Sequence, residues 1–290
     1  MSGFFVTRKR LGTAVNERLG ITLMSDLHVD SAITNLSWID RELREARDNG
    51  DRILIAGDVF DGILPSDKKR YSPQAMRDSL RGRDDILNAA VDLAVSVLGP
   101  YADQIDMISC GNHEASIVKH HSVDPIILLL DGLSGKCSNG HKISYGGYTG
   151  FVEYTVPLNG SSRRLVIYYH HGSGGSSPVT KGFLDFSRKG VFVDSDVVWS
   201  GHLHTRITDT GATRLSCPSR GDSPSLSQQV FVRTGAYMDT HSGQTQASLK
   251  TSGRMANYAS DSGTAPQWPG GARLLVQWDS QRNKSIRVVS

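Results

Sequence analysis

Five short clusters of Asp, His and Asn recur along the chain: Asp26-Leu27-His28, Gly57-Asp58 with Asp61 beyond it, Gly111-Asn112-His113-Glu114, His170-His171, and Gly201-His202-Leu203-His204. Together they offer the carboxylate, amide and imidazole groups from which a two-metal hydrolytic centre is built. Two cations a few ångströms apart can hold a phosphoryl oxygen, generate hydroxide near neutral pH and stabilise a leaving oxygen. Holding such a pair together calls for a bridging anion, and the carboxylate in the middle of the order, Asp58, is the natural choice. Asp26 and His28 are two residues apart, so on extended backbone they share a face and can grip one ion. His202 and His204 repeat that spacing, with Gly201 permitting a tight turn. Asn112 supplies a neutral oxygen, and His170 or His171 completes the second site. Imidazole among oxygen donors favours Mn²⁺, then Fe or Zn²⁺, over Ca²⁺ or Mg²⁺.

Ligands so far apart in sequence must be brought together by a rigid scaffold, and each cluster follows a short apolar run. Ile21–Met24 precedes Asp26, Arg52–Ala56 precedes Asp58, Ile105–Ile108 precedes Asn112, Leu165–Tyr169 precedes His170, and Val197–Trp199 precedes Gly201. Runs of this length and composition read as buried strands, whose carboxyl ends are where open α/β sheets bind ligands. Leu36, Ile39, Leu43 and Ala46 predict a helix capped by Asn35 and stopped at Asn49-Gly50. Asp84-Asp85 opens a second, which breaks at Gly99-Pro100. Beyond about Gly140 helical periodicity fades. Strands are expected at Lys142–Tyr148, Phe151–Pro157, Gln229–Tyr237, Ala272–Trp278 and Ser285–Val289. The pattern predicts an α/β fold over residues 1–290 as a single domain, a four-layer α-β-β-α sandwich of two mixed sheets with flanking helices.

With 290 residues, 38% apolar and 21% charged, the chain has the composition of an ordinary globular protein. No apolar stretch has spanning length, and Phe4-Phe5-Val6 is too short for the core of a secretion signal, so neither membrane nor export is expected. Cys110, Cys137 and Cys217 are odd in number and lack metal-type spacing, which fits a cytoplasmic location. Cys110 is expected within a strand, packing as a small hydrophobe. A net charge of +3 does not mark a nucleic-acid binder by itself. The insert at residues 60–85 is basic, however: from Leu64 to Arg83 it carries Lys68, Lys69, Arg70, Arg77, Arg81 and Arg83 against Asp67 and Asp78. Placed beside the site, it could hold a phosphate backbone, or it could be a solvated loop. Thr240–Gly271, rich in Ser and Gly, reads as a long loop.

The set Asp26/His28, Asp58, Asn112-His113, His170 and His202/His204 resembles the calcineurin-like metallophosphoesterase superfamily across most of the chain. The resemblance implies one metal held by Asp26, His28, Asp58 and His204, and another by Asp58, Asn112, His170 and His202. His170 is preferred over His171 as the first polar residue after its strand, although His171-Gly172 also matches the family's His-Gly form. His113 matches the histidine that contacts the scissile phosphate and protonates the leaving group, and Asp61 the carboxylate that raises its pKa. In-line attack by metal-bound hydroxide is implied.

Single residues carry less. Each His alone could be a hydrogen-bonded core residue and each Asp a turn or cap, but five such accidents in this order are not credible. His120-His121, His141 and His241 are expected at the surface; Glu114 could contact the site, though a helix-start carboxylate is the simpler account. Gly172–Ser177 lacks the Lys-Ser/Thr ending of a phosphate cradle and reads as a loop beside the metals. Phosphoprotein phosphatases of the superfamily carry arginines where this chain has Gly62 and Cys110, so the guanidinium clamps for a phosphomonoester are absent. The favoured expectation is a phosphodiesterase acting on a nucleotide, DNA or RNA, with Lys68, Lys69 and Arg70 as substrate contacts. The alternatives are a small-metabolite phosphatase or pyrophosphohydrolase, and a non-catalytic metal-binding scaffold.

Overall fold

The computed structural model describes residues 4–11, 18–66, 71, 73–158, 161–175, 183–217, 224–239, 268–279 and 283–289. One sheet contains β2 (Arg18–Met24), β3 (Arg52–Ala56), β4 (Ile105–Ser109), β5 (Ser144–Tyr145), β11 (Ala272–Trp278) and β12 (Lys284–Val289), in the order β12-β11-β2-β3-β4-β5. β2 to β5 run parallel, and β11 is antiparallel to both of its neighbours. The other sheet contains β1 (Phe5–Arg10), β6 (Thr149–Leu158), β7 (Ser161–His170), β8 (Val197–Ser200), β9 (Ile207–Ser216) and β10 (Ser225–Arg233), in the order β1-β6-β7-β8-β10-β9. It too is mixed, with β7, β8 and β10 parallel.

Period-two alternation sends side chains of each strand to opposite faces, and the sorting is clean. On β3, Leu54 and Ala56 meet the second sheet, while Ile53 and Ile55 meet the helices. On β7, Leu165, Ile167 and Tyr169 fill the space between sheets, while Tyr168 faces outward. Three apolar contacts result, which makes four layers. Helices α1 (Leu36–Asp48), α2 (Ile86–Leu98) and α4 (Pro125–Ser134) cover the first sheet through Ile39, Leu43, Ala94, Leu98, Leu129 and Leu133. Helix α5 (Phe183–Phe192) covers the second through Phe186. The fold is the expected α/β sandwich. Among the described residues, no helix is long and apolar enough to cross a membrane.

The two expected helices form as read. Asn35 Oδ1 caps α1 by accepting from Ser37 N at 3.1 Å, and α2 begins after Asp85 and ends at Gly99. Other expectations need correction. A helix, α5, also lies in the strand-rich second half; of its residues only Phe186 and Lys189 are buried. The strand expected at Lys142–Tyr148 is two residues long, and β10 lies earlier than Gln229–Tyr237. Cys110 falls just past β4, half-buried, and burial pushes its thiol pKa up to about 12. His141 is half-buried, its Nε2 2.7 Å from Ile105 O, while His120 and His121 are exposed; His241 and most of Thr240–Gly271 lie outside the described residues.

Candidate metal centre

The clusters after β2, β3, β4, β7 and β8 leave their strands at the same edge of the sandwich, and the loops are laced together by backbone bonds. Asp26 N donates to Gly57 O at 3.0 Å, His28 N to Asp58 O at 3.1 Å, and Gly201 N to His171 O at 2.9 Å. Seven described non-glycine residues have positive φ, and five of them are Asp26, His28, Asp58, His202 and His204. L-residues resist the left-handed region, so a surrounding structure that imposes it at five polar residues of one site is storing strain where function is expected.

The side chains converge. Asp26, His28 and His204 offer ligand atoms within 4.8 Å of one another, as do His28, Asp58 and His113, and as do Asp58, His171 and His202. Asp58 therefore belongs to two groupings. Asn112 Oδ1 lies 3.1 Å from His171 Nε2 and 2.7 Å from His202 Nδ1. His204 Nε2 lies 3.5 Å from Asp26 Oδ1.

The geometry reverses one expectation: His171, not His170, reaches the cluster. Its Nε2 is 3.0 Å from Asp58 Oδ2, whereas His170 Nδ1 accepts from Gly172 N and its ring packs on Tyr148. Parity on β7 explains this. His171 shares the inward face of Leu165, Ile167 and Tyr169, and the site lies above the space between sheets; His170 continues the outward face.

Backbone carbonyls fix the imidazole tautomers. His171 Nδ1 lies 2.8 Å from Ala56 O, and His202 Nε2 lies 3.1 Å from Gly174 O, so each ring donates outward. In the neutral rings, His171 Nε2 and His202 Nδ1 then join Asn112 Oδ1 and Asp58 Oδ2 as converging acceptors, an arrangement that needs a proton or a cation at its centre. His28 makes the same point: both of its ring nitrogens are buried and neither has a hydrogen-bond partner. Burial, with His113 adding, holds its pKa well below that of a free imidazole. A neutral imidazole left unsatisfied costs about 1–3 kcal/mol, and a divalent cation would supply the missing partner. The donor set therefore fits metal ions: Asp26, His28, Asp58 and His204 on one side, and Asp58, Asn112, His171 and His202 on the other.

His113 stands at the rim, its Nδ1 2.5 Å from the backbone carbonyl of Asp61 and 3.5 Å from Asp61 Oδ1. Burial opposes charge on this ring, but the Asp58 and Asp61 carboxylates outweigh it and raise its pKa. The closer partner is thus the main chain of Asp61, with its carboxylate second.

Two further carboxylates brace the site: Glu114, for which the sequence left contact with the site as the lesser alternative, and Asp30, which it did not single out. Glu114 lies in the first turn of α3 (Asn112–His121), as expected of a helix-start carboxylate, and is also wholly buried. It accepts from Gly111 N at 2.7 Å, Asp58 N at 3.0 Å and Phe60 N at 3.0 Å, pinning the β3 loop to the β4 loop. Burial, with the charge of Asp58, pushes its pKa up to about 7. Asp30 accepts from Asp61 N at 2.6 Å and Gly62 N at 2.9 Å. Only the site's assembled loops reveal either role.

Three arginines of the basic insert are described, and each is engaged within the chain. Arg77 bonds the carbonyls of Val29, Ser31 and Thr34, Arg81 bonds Pro73 O and pairs with Asp78, and Arg83 pairs with Asp85. These three brace the insert instead of facing a ligand. Lys68, Lys69 and Arg70 lie outside the described residues, as do Ser176 and Ser177 of the Gly-rich loop.

No family model and no curated protein matches the sequence. Solved structures similar to it include a predicted phosphoesterase from Streptococcus pneumoniae (10% identity, 94% of this chain and 98% of that one, TM-score 0.33). A metallophosphoesterase from Sphaerobacter thermophilus is similar at 14% identity over 94% and 89%, TM-score 0.32. GAP50, the anchor in the inner membrane complex of Plasmodium, is similar at 10% identity over 94% and 84%, TM-score 0.43. At such scores the functional reading rests on this chain's own side chains.

Proposed function

We propose that this chain is a binuclear metal-dependent hydrolase of phosphoester bonds, of the calcineurin-like metallophosphoesterase type, and that it acts as a phosphodiesterase on a nucleotide or nucleic-acid strand. The observation that carries the reading is His28, whose two buried nitrogens lack any hydrogen bond amid converging acceptors from five separate loops. When bound, the two metals supply Lewis acidity toward the phosphoryl oxygens and lower the pKa of water.

The chain's own residues do the rest. Asp58 belongs to both groups of donors and suits the bridging position. His113, its pKa raised by its carboxylate neighbours, directs Nδ1 at Asp61 O, so that in its protonated form the Nε2 proton is free to pass to the departing oxygen as its bond to phosphorus breaks. A diester is favoured over a monoester because the two positions that carry arginine clamps in phosphoprotein phosphatases are Gly62 and Cys110. Gly62 has φ +61°, and a side chain starting there would be strained and would displace Ile117 Cδ1, 2.5 Å away. Cys110 offers a protonated thiol in the other clamp position.

The test is hydrolysis of bis-p-nitrophenyl phosphate against p-nitrophenyl phosphate with Mn²⁺ supplied, followed by single-stranded DNA, RNA and cyclic nucleotides. Faster turnover of the diester is expected. Faster turnover of the monoester would refute the diesterase reading, and no turnover of any of them would refute the enzyme.

A further inference from the structure

Asp26 is reached from the interior by a chain of hydrogen bonds that the five clusters do not contain. Trp199 Nε1 donates to Thr234 Oγ1 at 3.1 Å, Thr234 Oγ1 lies 2.6 Å from Ser25 Oγ, and Ser25 Oγ bonds Asp26 Oδ2. All four residues have 0% exposure. The two ends fix the direction of every proton, because an indole N–H can only donate and a carboxylate can only accept. Ser25 spends its one proton on Asp26, so the short Ser25–Thr234 contact needs the proton of Thr234. Thr234 then receives the indole proton. Ser200 O, 3.4 Å from Thr234 Oγ1, competes for the same hydroxyl proton from a greater distance.

The two oxygens of Asp26 are thereby made unequal. Oδ2 is committed to Ser25, while Oδ1 faces the imidazoles, 3.5 Å from His204 Nε2 and 4.0 Å from His171 Nε2. His202 N spans both at 3.1 Å. Gly201 leaves room for the relay, since a Cβ there would lie 2.5 Å from both Asp26 Oδ2 and Ser25 Oγ. Trp199 meanwhile packs in the core between the sheets. The relay therefore ties a ligand's orientation to the core between the sheets, and buried bonds running in one direction polarise one another.

We infer that Ser25, Thr234 and Trp199 are positioning residues of the metal centre, committing one oxygen of Asp26 to the protein so that the other alone is presented as a ligand. The inference rests on the metal-centre reading above. Co²⁺ tests it, by calorimetric titration of the full chain and by the visible absorption of the bound ion. Thr234→Val removes the hydroxyl at nearly constant shape. It is expected to keep the fold by circular dichroism, to weaken one of two Co²⁺ ions by about 10–100-fold while sparing the other, and to change the visible band of the weakened ion. Thr234→Ser is expected to restore both. A folded Thr234→Val with wild-type affinities and spectrum would overturn the inference. Should Thr234→Val not fold, Trp199→Phe and Ser25→Ala carry the same expectation, and wild-type Co²⁺ binding in both would overturn it. If the wild-type chain itself takes up no pair of Co²⁺ ions, the metal-centre reading fails first; a wild-type pair left undisturbed in the variants sinks only the relay.

Discussion

Gly111→Ala isolates how closely the β3 and β4 loops must approach. Gly111 has φ −108° and ψ −167°, extended backbone that alanine adopts without strain, so the effect of the change is one of contact. An added Cβ would overlap Asp58 Oδ1 and lie 2.6 Å from Asp58 N and 2.8 Å from its Cγ. To restore ordinary spacing, Asp58 N must retreat by about 0.4–0.8 Å and the overlapped Oδ1 by about 1 Å, distances that matter because displacements near 1 Å can cost 10²-fold in rate. The bonds under strain run from His113 N to Asp58 Oδ1 at 3.0 Å, and from Gly111 N and Asp58 N to Glu114. Overpacking of this kind costs about 1–3 kcal/mol, partly offset by the lower backbone entropy of alanine in the unfolded chain. The expected outcome is a Tm about 2–6 °C lower, with diester kcat/KM under Mn²⁺ reduced about 10–100-fold. Gly135→Ala is the control. It has φ −73° and nothing within 4 Å of its added Cβ, so stability and activity should hold. Wild-type activity and metal affinity in Gly111→Ala would refute the placement of Asp58.

Asp58→Asn should abolish turnover and weaken binding of both metals, measured by calorimetry. His113→Gln should keep both metals yet slow the diesterase about 10²–10⁴-fold, the range for loss of a general acid, and unchanged kcat would refute its role. His171→Ala should lose metal and activity while His170→Ala keeps both; the reverse pattern would restore the sequence expectation against the geometry. In metal-free protein, burial disfavours charge on His171, but its bond to Asp58 and the charge of Asp26 outweigh this and push its pKa up to about 9. A raised histidine pKa stabilises the fold fully below about pH 6.5, and the benefit disappears as pH rises through 9, with a ceiling of about 3 kcal/mol. Urea midpoints of the metal-free chain should therefore fall between pH 7 and 9.5, and His171→Gln should flatten that slope.

The residues with metal-binding chemistry were legible because their types are rare at strand ends and their order is informative. The layers were legible because strands such as Arg52–Ala56 and Leu165–Tyr169 are short, apolar and followed by polar loops. What escaped has physical reasons. The choice between His170 and His171 turns on strand parity, a signal present in the sequence once Leu165, Ile167 and Tyr169 are assigned to the inner face. Helix α5 hides because it buries one phenylalanine and a lysine paired with Asp185 at 2.6 Å. Asp30 and Thr234 have ordinary residue types, and their importance arises from backbone amides and hydroxyls that only folding brings near. Charge composition alone does not say where a guanidinium of the basic insert points. Arg77 turns inward to three carbonyls.

Metal content bears on the central claim most directly. Purified chain reconstituted with Mn²⁺, passed through a desalting column and assayed by inductively coupled plasma mass spectrometry, should hold two ions per chain, with His28→Ala and His171→Ala each reduced to one or fewer. A wild-type stoichiometry near zero, or one unaffected by both substitutions, would contradict the account.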